Sequence, residues 1–193
     1  MTKAELRPIF KQKRQTLTAA QVADGSLAIV RLFFSFFEVE KMKAVHCYLP
    51  IRRQNEVDTF PIIYTIQDKY LQTQVVVPRM LPLTNDLEHY QWLPDMTLTL
   101  NKWGLLEPNP DKNTKLAQIA NINLVVVPLL ACDKQGQRVG YGKGYYDKFL
   151  ANCRPNVLKV GVSFFEPVAL ISDSSDFDVR LDYCITPQRV WRF

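Results

Sequence analysis

The chain has 193 residues, 47% of them apolar and 22% charged, with seven glycines and twelve prolines; it is long enough for one buried core and is composed as neither a disordered nor a collagen-like chain. No run approaches the roughly 18 apolar residues of a membrane span, the longest being Leu32 to Phe37 and Leu124 to Ala131, and the charged opening MTKAELRPIFKQKR is unlike a secretory leader. The net charge of +5 and pI near 9 suit a nucleic-acid partner and a polyanionic small molecule equally, and the basic residues form no long run.

Thr2 and Glu5 have capping-box spacing at the head of a helix. Lys3, Arg7, Lys11 and Arg14 share one of its faces, while Leu6, Phe10 and Leu17 lie on another. Pro8 predicts either a kink or a regular helix that starts near Arg7. A second box, Thr18 with Gln21, opens a helix to about Phe37. Ala44 to Leu49 reads as a strand, and Asp58 as the cap of a helix carrying Pro61 in its first turn. Gln74 to Pro78 and, more weakly, Leu87 to Leu93 are further strands; Trp103 to Asp111 (WGLLEPNPD) is loop by its prolines. Asn123 to Leu130 is a continuous β-branched run, the mark of a strand covered on both faces. A loop from Asp133 to Gly140, a helix from Tyr145 to Ala151, and last strands at Val157 to Ser163 and Tyr183 to Thr186 complete the pattern. Alternating strands and helices with no repeat or linker predict one α/β domain over residues 1–193, its mostly parallel sheet lying between helical layers.

Cys47, Cys132, Cys153 and Cys184 form no C-x-x-C pair, and His46 and His89 have no ligand-spaced neighbours. Neither a disulfide scaffold nor a zinc site is expected, and reduced thiols in the cytoplasm are the simplest account.

Chemistry concentrates between Leu124 and Leu150. A buried strand ends near Ala131, a polar turn follows, and Gly140, Gly142 and Gly144 lead into a helix. Ligands of parallel sheets bind beyond the carboxyl ends of the strands, and glycines ahead of a helix expose N–H groups to an anion. Arg138 and Lys143 flank the loop and could contact phosphate oxygens. The spacing fits neither a Walker loop, since Lys143 is followed by Gly144, nor G-x-G-x-x-G, since the third glycine comes one residue early. Glycine spacing alone leaves a ligand-free turn as an equal reading.

The longer string VVVPLLACDKQGQRVGYGKGYYDKFL resembles the signature of 5-formyltetrahydrofolate cyclo-ligases, with Pro128, Asp133, Gly136, Arg138, Gly140, Gly142, Gly144, Tyr145, Tyr146 and Asp147 in register. It departs at Leu129, where glycine is usual, and Cys132, where phenylalanine is usual. The opening K-x-x-x-R at Lys3 and Arg7 is similar too. So are the strand and E-V-D-T element over Tyr48 to Thr59, the W-G-L-L-E-P segment, and FDVRLDYCITP, whose Pro187 replaces the usual glutamate.

The resemblance implies a three-layer α/β/α fold with a mostly parallel central sheet, similar to the sugar-phosphate isomerase and CoA-transferase superfold. It implies ATP-dependent closure of 5-formyltetrahydrofolate to 5,10-methenyltetrahydrofolate through a phosphorylated formyl group. On that basis Arg138 and Lys143 act on the transferring phosphate, and Lys3, Arg7 and the loop Val139, Gly140, Tyr141, Gly142, Gly144, Tyr145 and Tyr146 hold the nucleotide. Asp147 and Asp178 are the expected magnesium carboxylates, with Asp176 and Asp182 competing for the second place. Glu56 binds the pterin, Ile51 and Tyr145 line the folate pocket, and Trp103 is either a stacking surface or plain core. Glu107 is expected to be structural, and the chain to be a monomer without nucleic-acid or membrane partners. A sugar-phosphate isomerase or acyl-CoA transferase relative and a non-enzymatic nucleic-acid binder are the rival readings.

Overall fold

The computed structural model describes residues 1–110 and 114–193. Helix α1 (Lys3–Gln15) opens with the reciprocal Thr2–Glu5 box and runs unbroken through Pro8, so neither the kink nor the late start is found. Pro8 cannot bond the Ala4 carbonyl, but both residues are exposed, so water can take the vacant place. Leu17 lies beyond the helix end.

Helix α2 (Ala19–Phe36) carries the second box, Thr18 with Gln21. By length and composition it could cross a membrane, although its apolar residues form no unbroken run of that length. Its Ile29, Val30 and Phe33 are nonetheless packed into the core.

Strand β1 (Ala44–Cys47) leads to α3 (Phe60–Lys69), where the N-cap is Thr59 and not Asp58. Thr59 sends its hydroxyl to the Tyr48 carbonyl at 2.5 Å, and Asp58 takes the Phe60 N–H at 3.0 Å from one residue further out. Strands β2 (Gln74–Leu81) and β3 (Asp86–Gln91) form an antiparallel hairpin. The proline-rich segment is not all loop: β4 (Leu98–Leu100) pairs with β5 (Leu106–Pro108), while Asp111 lies outside the described residues. After β6 (Ile122–Pro128), the polar turn is a small hairpin of β7 (Ala131–Cys132) and β8 (Arg138–Val139). Helix α4 (Tyr145–Ala151), β9 (Leu158–Val162), β10 (Tyr183–Ile185) and an unforeseen β11 (Val190–Arg192) follow.

Among the described residues the main sheet has seven strands in the order β11-β10-β9-β6-β1-β2-β3, parallel within and antiparallel at both edges. Side chains alternate between its faces. Val45, Val75, Leu124 and Val160 meet α2 and α3 on one side; Ala44, Val76, Val125 and Val127 share the other with Phe149 and Leu150 of α4. These are the three layers. Helix α1 belongs to neither face: Leu6 and Phe10 pack with Leu130, Ala131 and Val139 at the carboxyl end of β6.

Candidate active site

Chain connections leave β1 in opposite directions, toward β2 on one side and β6 on the other. In open α/β sheets that reversal leaves a crevice beyond the strand ends. A cavity of about 450 Å³ lies there, reached by Tyr48 and Leu49 after β1, Pro78 and Met80 of β2, and Pro128 of β6. Helix α1 and the glycine loop form one wall, and the β4–β5 connection another.

Most residues singled out by sequence converge on this cavity. Lys3, Arg7, Arg138, Gly140, Tyr141, Gly142, Lys143, Gly144, Tyr145, Tyr146, Asp147, Asp178, Ile51, Glu56 and Trp103 all line it. Val139 does not; its side chain is buried under α1 and its carbonyl takes the Leu130 N–H at 2.7 Å.

Gly142 (φ 89°) and Gly144 (φ 74°) adopt left-handed backbone, which side-chain-bearing residues resist. Arg7 packs against Gly142 and donates from Nε to the Gly140 carbonyl at 3.0 Å. Lys143, between the two glycines, is exposed and makes no hydrogen bond or ion pair among the described residues. Helix α4 has only seven residues, so attraction for an anion rests mainly on these cations rather than on a helix dipole.

Arg138 is buried, donating to the Val179 carbonyl and, at 2.6 Å, to Asp147 Oδ1. Burial lowers its pKa and Asp147 opposes that. Asp147 Oδ1 also accepts the Val179 N–H at 3.1 Å. Asp178 pairs with Lys3 and takes the Ser175 N–H at 2.6 Å. Its partial burial alone would raise its carboxyl, but Lys3 and Ser175 outweigh that and hold it below the ordinary range.

The competing acids are elsewhere. Asp182 takes the backbone N–H of Lys159 at 2.8 Å, and Asp176 is exposed. No group of three or more His, Cys, Asp or Glu side chains that could hold a metal occurs among the described residues. Two hard oxygen donors on one cavity fit magnesium, which commonly binds one or two carboxylates plus phosphate and water. They do not make a preformed metal cage.

The opposite wall is more apolar. Trp103 is 37% exposed and therefore not core, with its carbonyl held by Arg53 and Lys102 Nζ 4.6 Å above its ring. Glu107 is structural in position, its Oε1 accepting the Met80 N–H at 2.8 Å.

Glu56 sits in a network that sequence spacing did not reveal. Its Oε2 accepts the Ile51 N–H at 2.7 Å, and its Oε1 accepts the Tyr141 hydroxyl at 2.5 Å. Burial lifts its carboxyl above the usual range, opposed by Ile51, Tyr141 and Arg14. Arg14 is buried here, not on a solvated basic face. The four-four-three spacing of basic residues placed it on the cavity side of α1, but not in the interior.

The arrangement joins a cationic, anion-ready loop to a largely apolar slot holding one buried carboxylate. That combination suits a phosphorylated nucleotide beside a flat heterocycle. The 5-formyltetrahydrofolate cyclo-ligase family matches the chain over residues 1–187. The mitochondrial 5-formyltetrahydrofolate cyclo-ligase of Arabidopsis thaliana is 30% identical, with 96% of this chain and 78% of that protein covered. The Escherichia coli K12 5-formyltetrahydrofolate cyclo-ligase is 26% identical over 96% of this chain and 100% of its own. An NMR structure of Aquifex aeolicus 5,10-methenyltetrahydrofolate synthetase superposes with a TM-score of 0.82 at 28% identity, covering 100% of this chain and 93% of that one.

Proposed function

The chain belongs to the 5-formyltetrahydrofolate cyclo-ligase family, and from that membership we propose that its cavity holds ATP and 5-formyltetrahydrofolate together and closes the folate ring at the expense of ATP. The formyl oxygen on N5 attacks the γ-phosphorus, and the bond to ADP breaks. N10 then adds to the activated formyl carbon and gives up its proton. The carbon–oxygen bond breaks last, so the formyl oxygen leaves in inorganic phosphate and 5,10-methenyltetrahydrofolate remains. Phosphorylation turns a poor leaving group into a good one.

Work in such transfers is mostly positioning and charge neutralisation. Lys143 has no hydrogen bond or ion pair to give up among the described residues, so we assign it to the transferring phosphate. Arg138 holds the loop side of that phosphate, while Arg7 and Lys3 bind further along the nucleotide. Asp147 and Asp178 would hold magnesium, which when bound supplies further positive charge to phosphate oxygens. Glu56 offers a carboxylate to the aminopyrimidine edge of the pterin. Ile51, Tyr145 and Trp103 enclose the ring system and exclude water.

One observation carries this reading: the glycine loop with its free lysine and the apolar slot with its buried glutamate open into a single cavity. The test is the methenyl absorbance produced from 5-formyltetrahydrofolate with and without ATP and magnesium. Heavy-oxygen label placed in the formyl group is expected in the released phosphate. Product formed without ATP, or label retained in the folate, would refute the phosphorylated route.

A further inference from the structure

Tyr141 stands between Gly140 and Gly142 on the glycine loop, yet its side chain turns toward the folate side of the cavity. Its hydroxyl has one hydrogen, given to Glu56 Oε1 at 2.5 Å. The Tyr141 hydroxyl oxygen in turn accepts from Arg14 Nη2 at 2.5 Å. Arg14 Nη1 lies 3.9 Å from Glu56 Oε1, and the two side chains are 6% and 4% exposed. Groups shielded this well have few other partners, so moving one leaves the next unsatisfied.

The surrounding backbone is tied in the same direction. Asn55, directly before Glu56, donates from Nδ2 to the carbonyls of Arg14 at 2.8 Å and Leu17 at 3.2 Å. It thereby grips the last turn of α1. Two turns earlier on the same helix, Arg7 holds the Gly140 carbonyl, one residue before Tyr141. About 10 Å separates Arg7 from Arg14 along the helix axis. One rigid element therefore carries nucleotide-side cations at one end and the Glu56 partner at the other.

We propose that Arg14 and Tyr141 are positioning residues forming a latch between Glu56 and the glycine loop, through which nucleotide and folate raise each other's affinity. The latch rests on the functional reading above. Phosphate drawing Lys143 and Arg7 toward itself pulls the loop, which can flex at Gly142 and Gly144. Tyr141 follows, and Glu56 Oε1 is left to accept from the pterin. Folate already bound at Glu56 releases Tyr141 and eases the same movement. Such coupling is reciprocal by thermodynamic necessity.

The experiment measures equilibrium binding of 5-formyltetrahydrofolate with and without a non-hydrolysable ATP analogue plus magnesium, and the converse. In the unaltered chain each ligand should tighten the other by the same factor, about fivefold or more. Tyr141→Phe keeps the ring and removes the hydroxyl; it should bring that factor close to one, whatever it does to either affinity alone. Arg14→Met should do the same, and Arg14→Lys should restore part of the factor. A merely structural role would lower the melting temperature or both affinities and leave the ratio intact. An unchanged ratio in Tyr141→Phe and Arg14→Met, or a ratio of one in the unaltered chain, overturns the latch. Binding of neither ligand by the folded, unaltered chain overturns the functional reading, and the latch with it.

Discussion

Lys143 sits on the glycine loop with no hydrogen bond or ion pair among the described residues, whereas Lys3, Arg7 and Arg138 each have an internal partner. A charge maintained without an internal role costs little to remove from the fold and much to remove from the chemistry. Lys143→Met should lower kcat by about 100-fold, as loss of one transition-state donor commonly does. Its melting temperature should stay within about 2 °C, since exposed substitutions rarely exceed about 0.5 kcal/mol. An unchanged kcat would remove Lys143 from the mechanism.

Glu56 makes a prediction in pH. Burial raises its folded-state pKa, so above the ordinary value of 4.5 the folded chain keeps a proton that the unfolded chain has lost. Stability from this group therefore falls as pH rises through that window. In the proposed role, folate affinity should have the opposite slope, because the pterin would need the carboxylate, and should be lost as pH falls through the raised pKa. Tyr141 and Arg14 both favour the charged form, so removing either should move that acid limb to higher pH. Glu56→Gln should abolish the limb and raise KM for folate about tenfold or more, read from initial rates across pH. Of these residues, the sequence made Lys143 and Glu56 legible through their motifs. Arg14 was visible only as a member of a basic stripe. Its bond to Tyr141 spans 127 positions, and no local spacing encodes a pairing at that distance.

Between elements, the most unusual contact lies where β1, β3 and α4 meet. His46 and His89 pack 5.2 Å apart, both against Phe149, and among the described residues neither ring nitrogen of His46 nor Nδ1 of His89 has a hydrogen-bond partner. Burial brings His89 down to about 4, and burial together with His89 takes His46 well below its ordinary value. Both are neutral in the fold while the unfolded chain would protonate near 6.5. Stability is thus retained above about 6.5 and lost as pH falls toward 4. For His89 the loss is on the order of 2 kcal/mol by pH 5. Melting followed from pH 7 to 5 should show a drop of about 4 °C or more, reduced in His89→Gln. A flat profile would contradict the packing.

The elements themselves were largely legible, because α1 and α2 open with capping boxes and β6 is a continuous β-branched run. Three misses share a cause. Strands β4, β5 and β11 have three residues each, too few to display alternation, and exist by pairing with partners. Thr59, not Asp58, stands at the N-cap of α3, with its hydroxyl given to the buried Tyr48 carbonyl just beyond β1, a contact that local spacing does not encode.

At the scale of the molecule, alternation of strands and helices predicted the layers. It could not tell that α1 leaves them and lies across the strand ends, since an amphipathic face shows that something covers it, not what. A cavity walled by α1, the loop and the β4–β5 connection joins segments from across the chain, so its ligands should brace the whole fold. Nucleotide at about 100 times its Kd should add about 2.7 kcal/mol of stability, or roughly 5 to 10 °C in melting temperature. Thermal shift checks this. Lys143→Met should lessen the gain, and no shift at any concentration would argue against a nucleotide in this cavity.

Lys3 meets Asp178, 175 positions later, and the Lys3 N–H bonds Asp173 at 2.7 Å. The start of α1 therefore waits for a segment about 170 positions later before it is locked at the cavity. The sheet can assemble progressively during translation, but the nucleotide wall closes only when early and late segments meet. Prematurely terminated products lacking the Asp173–Asp178 stretch would be left with an unclosed site, so the proposed activity would be a privilege of chains finished at least that far.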